Sequence, residues 1–151
     1  MIKSRKYYTT PLCRRKKSNQ QLVPIGKGQH IKVGSSKIEG EWIDKLGVKI
    51  RSYVIYGFSK TMNKRQIYVV DGYDPKNKIC FEMNGNRYHG GVGYPHHKVD
   101  PTMKVTYGEL YRKTLERYYV LHSLGYKIFR VWESDYKKGR IGLFWNPGDP
   151  V

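Results

Sequence analysis

The pattern of hydrophobic and polar positions predicts two helices. Ser36 and Glu39 have the spacing of a capping box, and apolar residues then recur on one face for about three turns. Gly47 follows as a helix stop. A longer helix begins at Thr106, again with a glutamate three residues later, and its apolar stripe runs until Gly125. Each helix therefore has a start signal and a stop signal in the sequence itself.

Four runs rich in β-branched and aromatic residues predict strands. They cover residues 48–58, 66–72, 78–84 and 127–133. The sequence Asp74-Pro75-Lys76-Asn77 is a turn between the second and third runs, and we interpret Asp74 as a turn residue. A Gly- and His-rich loop at 85–105 is long for a compact domain, and such loops are usually functional or disordered. The order of elements predicts an α/β fold, a mixed β-sheet core flanked by helices.

The chain is strongly basic, and the charge is uneven. Its 151 residues suit a single domain, with 29 Lys and Arg against 12 Asp and Glu and a net charge of +17. Ten of the basic residues and none of the acids fall in the first 38 positions, so the rest of the chain carries only +7. Such an excess indicates a polyanionic partner, nucleic acid rather than an anionic membrane.

Composition predicts three segments. Residues 1–34 are polar, basic and aperiodic, with glycines that interrupt any regular element, so we expect an extended or partly disordered basic arm. Arms of this kind hold phosphates without reading sequence, although the same run also suits a nuclear import signal. Residues 35–136 form the folded domain, and residues 137–151 form a tail that wraps on its surface. The arm residues that we expect to bind nucleic acid are Arg14, Arg15, Lys16 and Lys17.

Several classes of protein are disfavoured by the sequence. No apolar run approaches the roughly 20 residues that span a bilayer, and the first residues lack the apolar stretch of a signal peptide. Cys13 and Cys80 form no CxxC motif, which disfavours a zinc site or a disulfide scaffold. We expect an intracellular protein with no membrane partner; nucleus, cytoplasm and a viral or phage compartment stay open.

Two acids lie inside apolar strands. Asp71 follows an apolar run, and Glu82 stands between Phe81 and Met83. In a hairpin that turns symmetrically about residues 76 and 77, Asp71 and Glu82 would be directly opposite, with Cβ atoms about 4.5–5.5 Å apart. A divalent cation between them would relieve their repulsion, and carboxylate oxygens suit Mg²⁺ or Mn²⁺. The alternative is a turn residue and a solvent-facing acid on an edge strand.

Two further residues extend this constellation. Asn84 is two positions after Glu82 and shares its face of the strand, and His89 follows at the mouth of the long loop. A metal held by acids beside a histidine can activate water and stabilise a pentacovalent phosphate.

The ordered set of these residues resembles a known family. It consists of an acid on the first helix, the strand residue Asp71, the spacing E-x-x-G-x-x-x-H (Glu82, Gly85, His89), and a helix leading into GYKIFRVWESD. Over roughly residues 35–136 it resembles the PD-(D/E)xK nuclease superfamily, and within it the branch of very-short-patch repair endonucleases and EDxHD homing endonucleases. The resemblance implies a restriction-endonuclease-like fold and a magnesium-dependent endodeoxyribonuclease that cleaves phosphodiester bonds of double-stranded DNA.

The resemblance also implies roles for individual residues. Asp71 would bind the metal, and Glu82 would bind or support it. Asn84 occupies the position that usually holds lysine, so His89 becomes the residue that activates the nucleophile or contacts the phosphate. Glu39 matches the acid of the first helix, in competition with its capping role, and Glu41 is the second choice.

Other readings stay open. Lys113 and Arg117, on the second helix, either reach the scissile phosphate or belong to a solvated face. A non-catalytic, basic nucleic-acid-binding protein is the alternative to a nuclease. Among nucleases, the sequence does not choose between DNA repair, homing, junction and restriction enzymes, or between a monomer and a homodimer.

Overall fold

The computed structural model describes the backbone of residues 22–25 and 29–32 and the whole of residues 36–151. The chain divides into two compact units, Met1–Cys80 and Phe81–Val151, and each is described by itself. The elements in chain order are β1 (Leu22–Ile25), β2 (Gln29–Lys32), α1 (Lys37–Lys45), β3 (Ile50–Ser59), β4 (Lys64–Asp74), β5 (Ile79–Asn84), α2 (Tyr107–Ser123), β6 (Lys127–Trp132), α3 (Glu133–Lys137) and β7 (Leu143–Trp145).

The predicted α/β class is confirmed. Strands β3 to β7 belong to one mixed sheet in chain order, and β1 and β2 form a separate two-stranded sheet. β3 pairs with β4 and β6 pairs with β7, both antiparallel. Asp74 ends β4 and stabilises the predicted turn: its carboxylate accepts hydrogen bonds from the Lys76 backbone, at 2.9 Å, and from the Asn77 side chain, at 2.7 Å.

Both predicted helix starts are confirmed. The Ser36 hydroxyl accepts a hydrogen bond from the Glu39 backbone N–H at 3.2 Å, which caps α1. Thr106 and Glu109 form a complete capping box at α2, in which each side chain bonds the other's backbone N–H. These contacts are local in sequence, and for that reason the spacing alone is sufficient to find them.

The structure corrects three predictions. The basic arm contains regular structure, because β1 and β2 pair as an antiparallel hairpin in which Leu22 is opposite Lys32. The hairpin forms where the arm has good strand formers, Val23 and Ile31. Glu133 begins α3 instead of ending the last strand. The C-terminal tail contains β7, which pairs with β6.

Each unit has its own buried residues. In Met1–Cys80, Trp42 and Ile43 of α1 are buried, and the same unit buries Val54 and Ile55 of β3 and Val70 of β4. Cys80 is also buried. In Phe81–Val151, the core comes from α2, β6 and β7; its fully buried side chains are Tyr118, Leu121, Ile128 and Trp145, with Val131 close to fully buried.

Asp71 lies at an irregular point of the β3–β4 ladder. Regular pairs flank it, with Arg51 opposite Gly72 and Tyr53 opposite Val70, so Ser52 is the residue opposite Asp71. Ser52 is buried and has a φ of 52°, in the left-handed region that non-glycine residues seldom adopt. Strained backbone of this kind clusters at functional sites.

We expect Ser52→Gly to raise the free energy of unfolding by roughly 0.5–1 kcal/mol, because glycine adopts a positive φ without a Cβ clash. Urea denaturation measures the change. Ser52→Ala is the matched control: it also removes the hydroxyl but keeps the Cβ, and it should not stabilise the protein. Equal effects of the two variants would show that the hydroxyl, and not the backbone, sets the stability of this position.

Candidate active site

Glu82 is a buried acid with a cationic partner. Its residue is 4% exposed, and the strand around it is buried on both faces. Oε1 of Glu82 accepts hydrogen bonds from Nε of Arg117, at 3.0 Å, and from Nη2, at 2.6 Å. Burial raises the pKa of the Glu82 carboxyl, and the adjacent Arg117 guanidinium opposes that shift. Arg117 therefore supplies positive charge that the sequence argument assigned to a metal ion.

Asn84 is fully buried two residues further along the strand. Its Nδ2 donates a hydrogen bond of 2.7 Å to the hydroxyl of Tyr118, and burial raises the pKa of that phenol, which keeps it neutral. Within the described part of the chain, Oδ1 of Asn84 has no hydrogen-bond partner. A buried, unsatisfied amide oxygen is uncommon and calls for an explanation.

His89 has a defined tautomer. Its Nδ1 lies 2.7 Å from Oγ1 of Thr114, and the Thr114 hydroxyl donates its own hydrogen to the carbonyl of Leu110 at 3.0 Å. Since a hydroxyl has one hydrogen to give, the Thr114 oxygen must accept from His89, so Nδ1 carries the proton. Nε2 then holds a lone pair, and we find no partner for it among residues 36–151.

Burial and the guanidinium of Arg117 both act on this imidazole. Burial, the larger effect, and the positive charge of Arg117 together lower the pKa of His89 from 6.5 to about 4. At neutral pH the ring is therefore uncharged. A neutral imidazole with a free Nε2 can accept a proton or bind a metal.

One face of α2 organises all three residues. Thr114, Arg117 and Tyr118 stand at positions i, i+3 and i+4 of the helix, which places them side by side. Each bonds a different member of the segment that ends β5 and opens the loop: Thr114 bonds His89, Arg117 bonds Glu82, and Tyr118 bonds Asn84. The site therefore consists of paired side chains from two elements of the same unit.

The long loop is held by a second buried acid. Asp100 is fully buried and receives Nε and Nη2 of Arg87, two backbone N–H groups, and the hydroxyl of Tyr107. The hydrogen bond from Arg87 is the main reason that the pKa of this carboxyl lies well below its usual range. Gly90 approaches α2 so closely that a Cβ would lie 2.1 Å from the carbonyl of Tyr107. The loop containing His89 thus has a fixed shape.

The other predicted residues belong to the unit Met1–Cys80, lie on the exposed side of α2, or fall outside the described residues. Asp71 and Glu39 belong to the unit Met1–Cys80, and the opposition of Asp71 and Glu82 stays a prediction. The ends of β4 and β5, at residues 74 and 79, are nevertheless symmetric about the predicted turn centre. Lys113 is exposed on α2. The basic arm residues Arg14, Arg15, Lys16 and Lys17 lie outside the described residues.

The donors at this site are oxygens more than nitrogens. No group of three His, Cys, Asp or Glu that could hold a metal occurs in the described residues. Mg²⁺ does not require such a group, because it is commonly held by one or two carboxylates together with water and substrate phosphate. Oε2 of Glu82 and Oδ1 of Asn84 make no hydrogen bond within residues 36–151. These two oxygens fit a magnesium ion in chemical type.

The sequence did not predict the partners of three residues of the site, Thr114, Arg117 and Tyr118. Arg117 lies off the apolar stripe of α2, and the sequence left open a phosphate contact or a solvated face; its side chain is only 23% exposed and bonds Glu82. Thr114 and Tyr118 lie on the stripe and suggested packing alone. One signal for these pairings was present in the sequence: the apolar stripe of α2 contains the polar residues Thr114 and Tyr118, and Arg117 stands beside them. Polar groups on a buried helix face need partners, and the strand with Glu82 and Asn84 offers them.

No family model, curated protein or solved structure matches this chain. Within the described residues, no helix is long and apolar enough to cross a membrane.

The lowered pKa of His89 predicts a pH dependence of stability. The unfolded chain takes up the proton near pH 6.5 but the folded protein only near pH 4, so this stabilisation is complete above pH 6.5 and is lost as pH falls towards 4. The loss amounts to about 3 kcal/mol. Because Glu82 titrates in the opposite sense, the measured quantity is the difference in unfolding free energy between the protein and His89→Gln. The control is His97→Gln, which replaces an exposed histidine and should keep the pH dependence of the unfolding free energy. If His89→Gln keeps that pH dependence as well, the lowered pKa of His89 is contradicted.

Thr114→Val should release the tautomer of His89. The variant removes the oxygen that accepts from Nδ1, and we expect a mixture of the two neutral tautomers together with a loss of about 1–3 kcal/mol in unfolding free energy. Nitrogen-15 NMR of labelled histidine measures the tautomer directly. Thr114→Ser keeps the hydroxyl and should preserve the Nδ1–H form; an unchanged spectrum in Thr114→Val would contradict the hydrogen-bond assignment.

Proposed function

We propose that this protein is a magnesium-dependent DNA endonuclease with a restriction-endonuclease-like fold, acting on phosphodiester bonds of double-stranded DNA. The observation that carries the proposal is the neutral imidazole of His89, whose Nε2 is left free by the bond from Nδ1 to Thr114. Next to it lies a guanidinium on a buried carboxylate. A base and a cation in one place are the minimum that hydrolysis of a phosphodiester requires.

In this proposal His89 acts as the general base. Nε2 takes a proton from water, the water oxygen forms a bond to phosphorus, and one phosphorus–oxygen ester bond breaks. The leaving oxygen takes a proton from solvent, so that the atoms and charges balance. A pKa near 4 means that the imidazole is already deprotonated at neutral pH, although it also makes the ring a weak base. The binding of a phosphate anion beside the ring would raise its pKa.

Arg117 is suited to hold the phosphate. A guanidinium binds phosphate oxygens through a planar set of donors and keeps its charge at every relevant pH. Its pairing with Glu82 fixes its position before substrate arrives, and preorganised charge is what stabilises a phosphorane. Lys113, exposed on the same helix, is proposed to contact the backbone of the duplex, and the basic arm is proposed to add further phosphate contacts.

We propose Asp71 and Glu82 as the carboxylates that hold Mg²⁺ (or Mn²⁺), with Asn84 as a neutral oxygen donor and Glu39 as the acid of the first helix. Asp71 is chosen because the hairpin register of the sequence would bring it opposite Glu82 and because the strained residue Ser52 lies opposite it in β3. The ion would neutralise charge that develops on the phosphate. Glu82 would share its two oxygens, Oε1 with Arg117 and Oε2 with the ion.

Incubation with supercoiled plasmid and Mg²⁺ should convert it to nicked or linear DNA, and EDTA should stop the reaction. We expect His89→Ala to lower the cleavage rate by about 10²–10⁴-fold, the usual contribution of a general base. His97→Ala removes an exposed histidine from the same loop and should cleave normally. Asp71→Ala should abolish cleavage while duplex binding, measured by fluorescence anisotropy, is retained.

The contradicting outcomes are distinct. Absence of metal-dependent cleavage on plasmid, mismatched duplex and junction substrates would overturn the nuclease proposal. Full activity of His89→Ala would leave a nuclease whose base is another residue. Full activity of Asp71→Ala would contradict the assignment of Asp71 as a metal ligand.

A non-catalytic, basic nucleic-acid-binding protein is the second candidate, and one observation favours it. Arg117 already pairs with Glu82, so the buried acid does not need a metal to be tolerated. Thermal unfolding separates the two candidates. A rise in melting temperature with Mg²⁺ that disappears in Asp71→Ala supports the nuclease, whereas a melting temperature that is indifferent to Mg²⁺ supports the binding protein.

A further inference from the structure

A small open pocket lies between the start of the long loop and α3, within the unit Phe81–Val151. Its volume is about 240 Å³. Pockets for drug-sized ligands are larger, about 300–1,000 Å³, so this one suits a single planar ring system. The lining residues that matter here are Gly85, Asn86, Tyr88, Tyr94, Glu133 and Lys137.

The walls of the pocket are fixed before any ligand binds. The Asn86 side chain joins the loop to α3: its Nδ2 donates to the Ser134 hydroxyl at 3.1 Å, and its Oδ1 accepts from the Ser134 backbone at 3.2 Å. The same Nδ2 reaches the carbonyl of Val92 at 3.3 Å. Tyr94 is held by an aromatic contact with Tyr107, with ring centroids 4.9 Å apart. Little ordering cost would therefore accompany binding.

Tyr88 offers an aromatic surface at this pocket. It is 62% exposed, so its ring is accessible to a ligand. The guanidinium of Arg87, which is held by Asp100, lies 5.8 Å from the ring centroid. An exposed aromatic ring beside a cation is the arrangement on which nucleic-acid bases stack.

Glu133 supplies an unused hydrogen-bond acceptor. Its Oε1 pairs with the ammonium of Lys137, and within residues 36–151 its Oε2 has no hydrogen-bond partner. A Cβ added to Gly85 would lie 3.7 Å from this Oε2 and 3.4 Å from the Tyr88 ring. The missing side chain of Gly85 therefore leaves open the space between the ring and the carboxylate oxygen.

The pocket adjoins the candidate active site along the chain. Tyr88 directly precedes His89, and the backbone N–H of His89 closes the turn by bonding the carbonyl of Gly85 at 3.1 Å. Consecutive Cα atoms are about 3.8 Å apart, which is less than the length of one nucleotide. A nucleotide next to the phosphate that reaches His89 could therefore place its base at Tyr88.

We propose that this pocket binds one unpaired nucleobase of the DNA substrate, stacked on Tyr88, and that it prefers guanine. Guanine presents two adjacent N–H donors on its Watson–Crick edge beside a carbonyl oxygen. The two donors can donate hydrogen bonds to Oε2 of Glu133, and the carbonyl oxygen can accept one from the ammonium of Lys137. The other bases can also stack on the ring, but each offers a single donor site on that edge. This inference deepens the proposed function and rests on it for the identity of the partner.

The test is a binding measurement that needs no catalysis. The probes are fluorescein-labelled duplexes with one central unpaired nucleotide, G, A or an abasic site, and anisotropy is followed with the full chain in EDTA. We expect the G probe to bind about 10-fold more tightly than the abasic probe, and Tyr88→Ala to remove that difference, as a lost base stack would. Tyr88→Phe keeps the ring and should keep the difference.

Glu133→Gln tests the choice of base. It should bring the affinities for the G and A probes within about 2-fold of each other, while Asp135→Asn, the same charge change on the same helix, should preserve the preference for G. Equal affinity of the protein for G and abasic probes, or an unchanged base dependence in Tyr88→Ala, would overturn the proposal that the pocket binds a base stacked on Tyr88. An unchanged G preference in Glu133→Gln would overturn the assignment of guanine. Because these are binding ratios in EDTA, they stand or fall separately from the plasmid cleavage that tests the nuclease.

Discussion

The ion pair between Glu82 and Arg117 is the interaction on which the site depends. A carboxylate inside an apolar strand costs several kcal/mol unless a partner accompanies it, and α2 must therefore turn Arg117 towards Glu82. Once that rotation is fixed, helical geometry puts Thr114 and Tyr118 on the same side. His89 and Asn84 receive their partners as a consequence, so one electrostatic requirement positions three polar contacts.

The same arrangement sets the chemistry that the site can carry out. Burial, together with the smaller effect of the Arg117 charge, lowers the pKa of His89, which keeps the ring neutral and its Nε2 available. The guanidinium leaves Oε2 of Glu82 without a hydrogen bond, and the amide oxygen of Asn84 is also unsatisfied. The site thus combines a base, a cation and spare oxygen donors, which is a set of groups that suits a phosphate and a divalent ion. The Asp100 cluster keeps the loop rigid enough for these groups to hold their places.

The local features of the fold could be read from the sequence, and the pairings of the site could not. The caps at Ser36 and Thr106 involve residues three positions apart, and the Asp74 turn involves its own neighbours. In contrast, Arg117 and Glu82 are 35 positions apart, and no periodicity connects them. The sequence pattern left open whether Arg117 contacts phosphate or faces solvent, because it lies beside the apolar stripe, where a long side chain can still reach a buried acid.

The sequence by itself determined the α/β class, the starts of two helices, the basic character of the chain and the residue types available for chemistry: Glu82, Asn84 and His89 within eight positions. These follow from local propensity and from composition, which need no knowledge of distant contacts. Only the tertiary structure decided which partner each residue has, which nitrogen of His89 carries the proton, and that Tyr88, Gly85 and Glu133 line a pocket. Those properties depend on distances between residues far apart in sequence, and such distances exist only once α2 and α3 are packed against the rest of their unit.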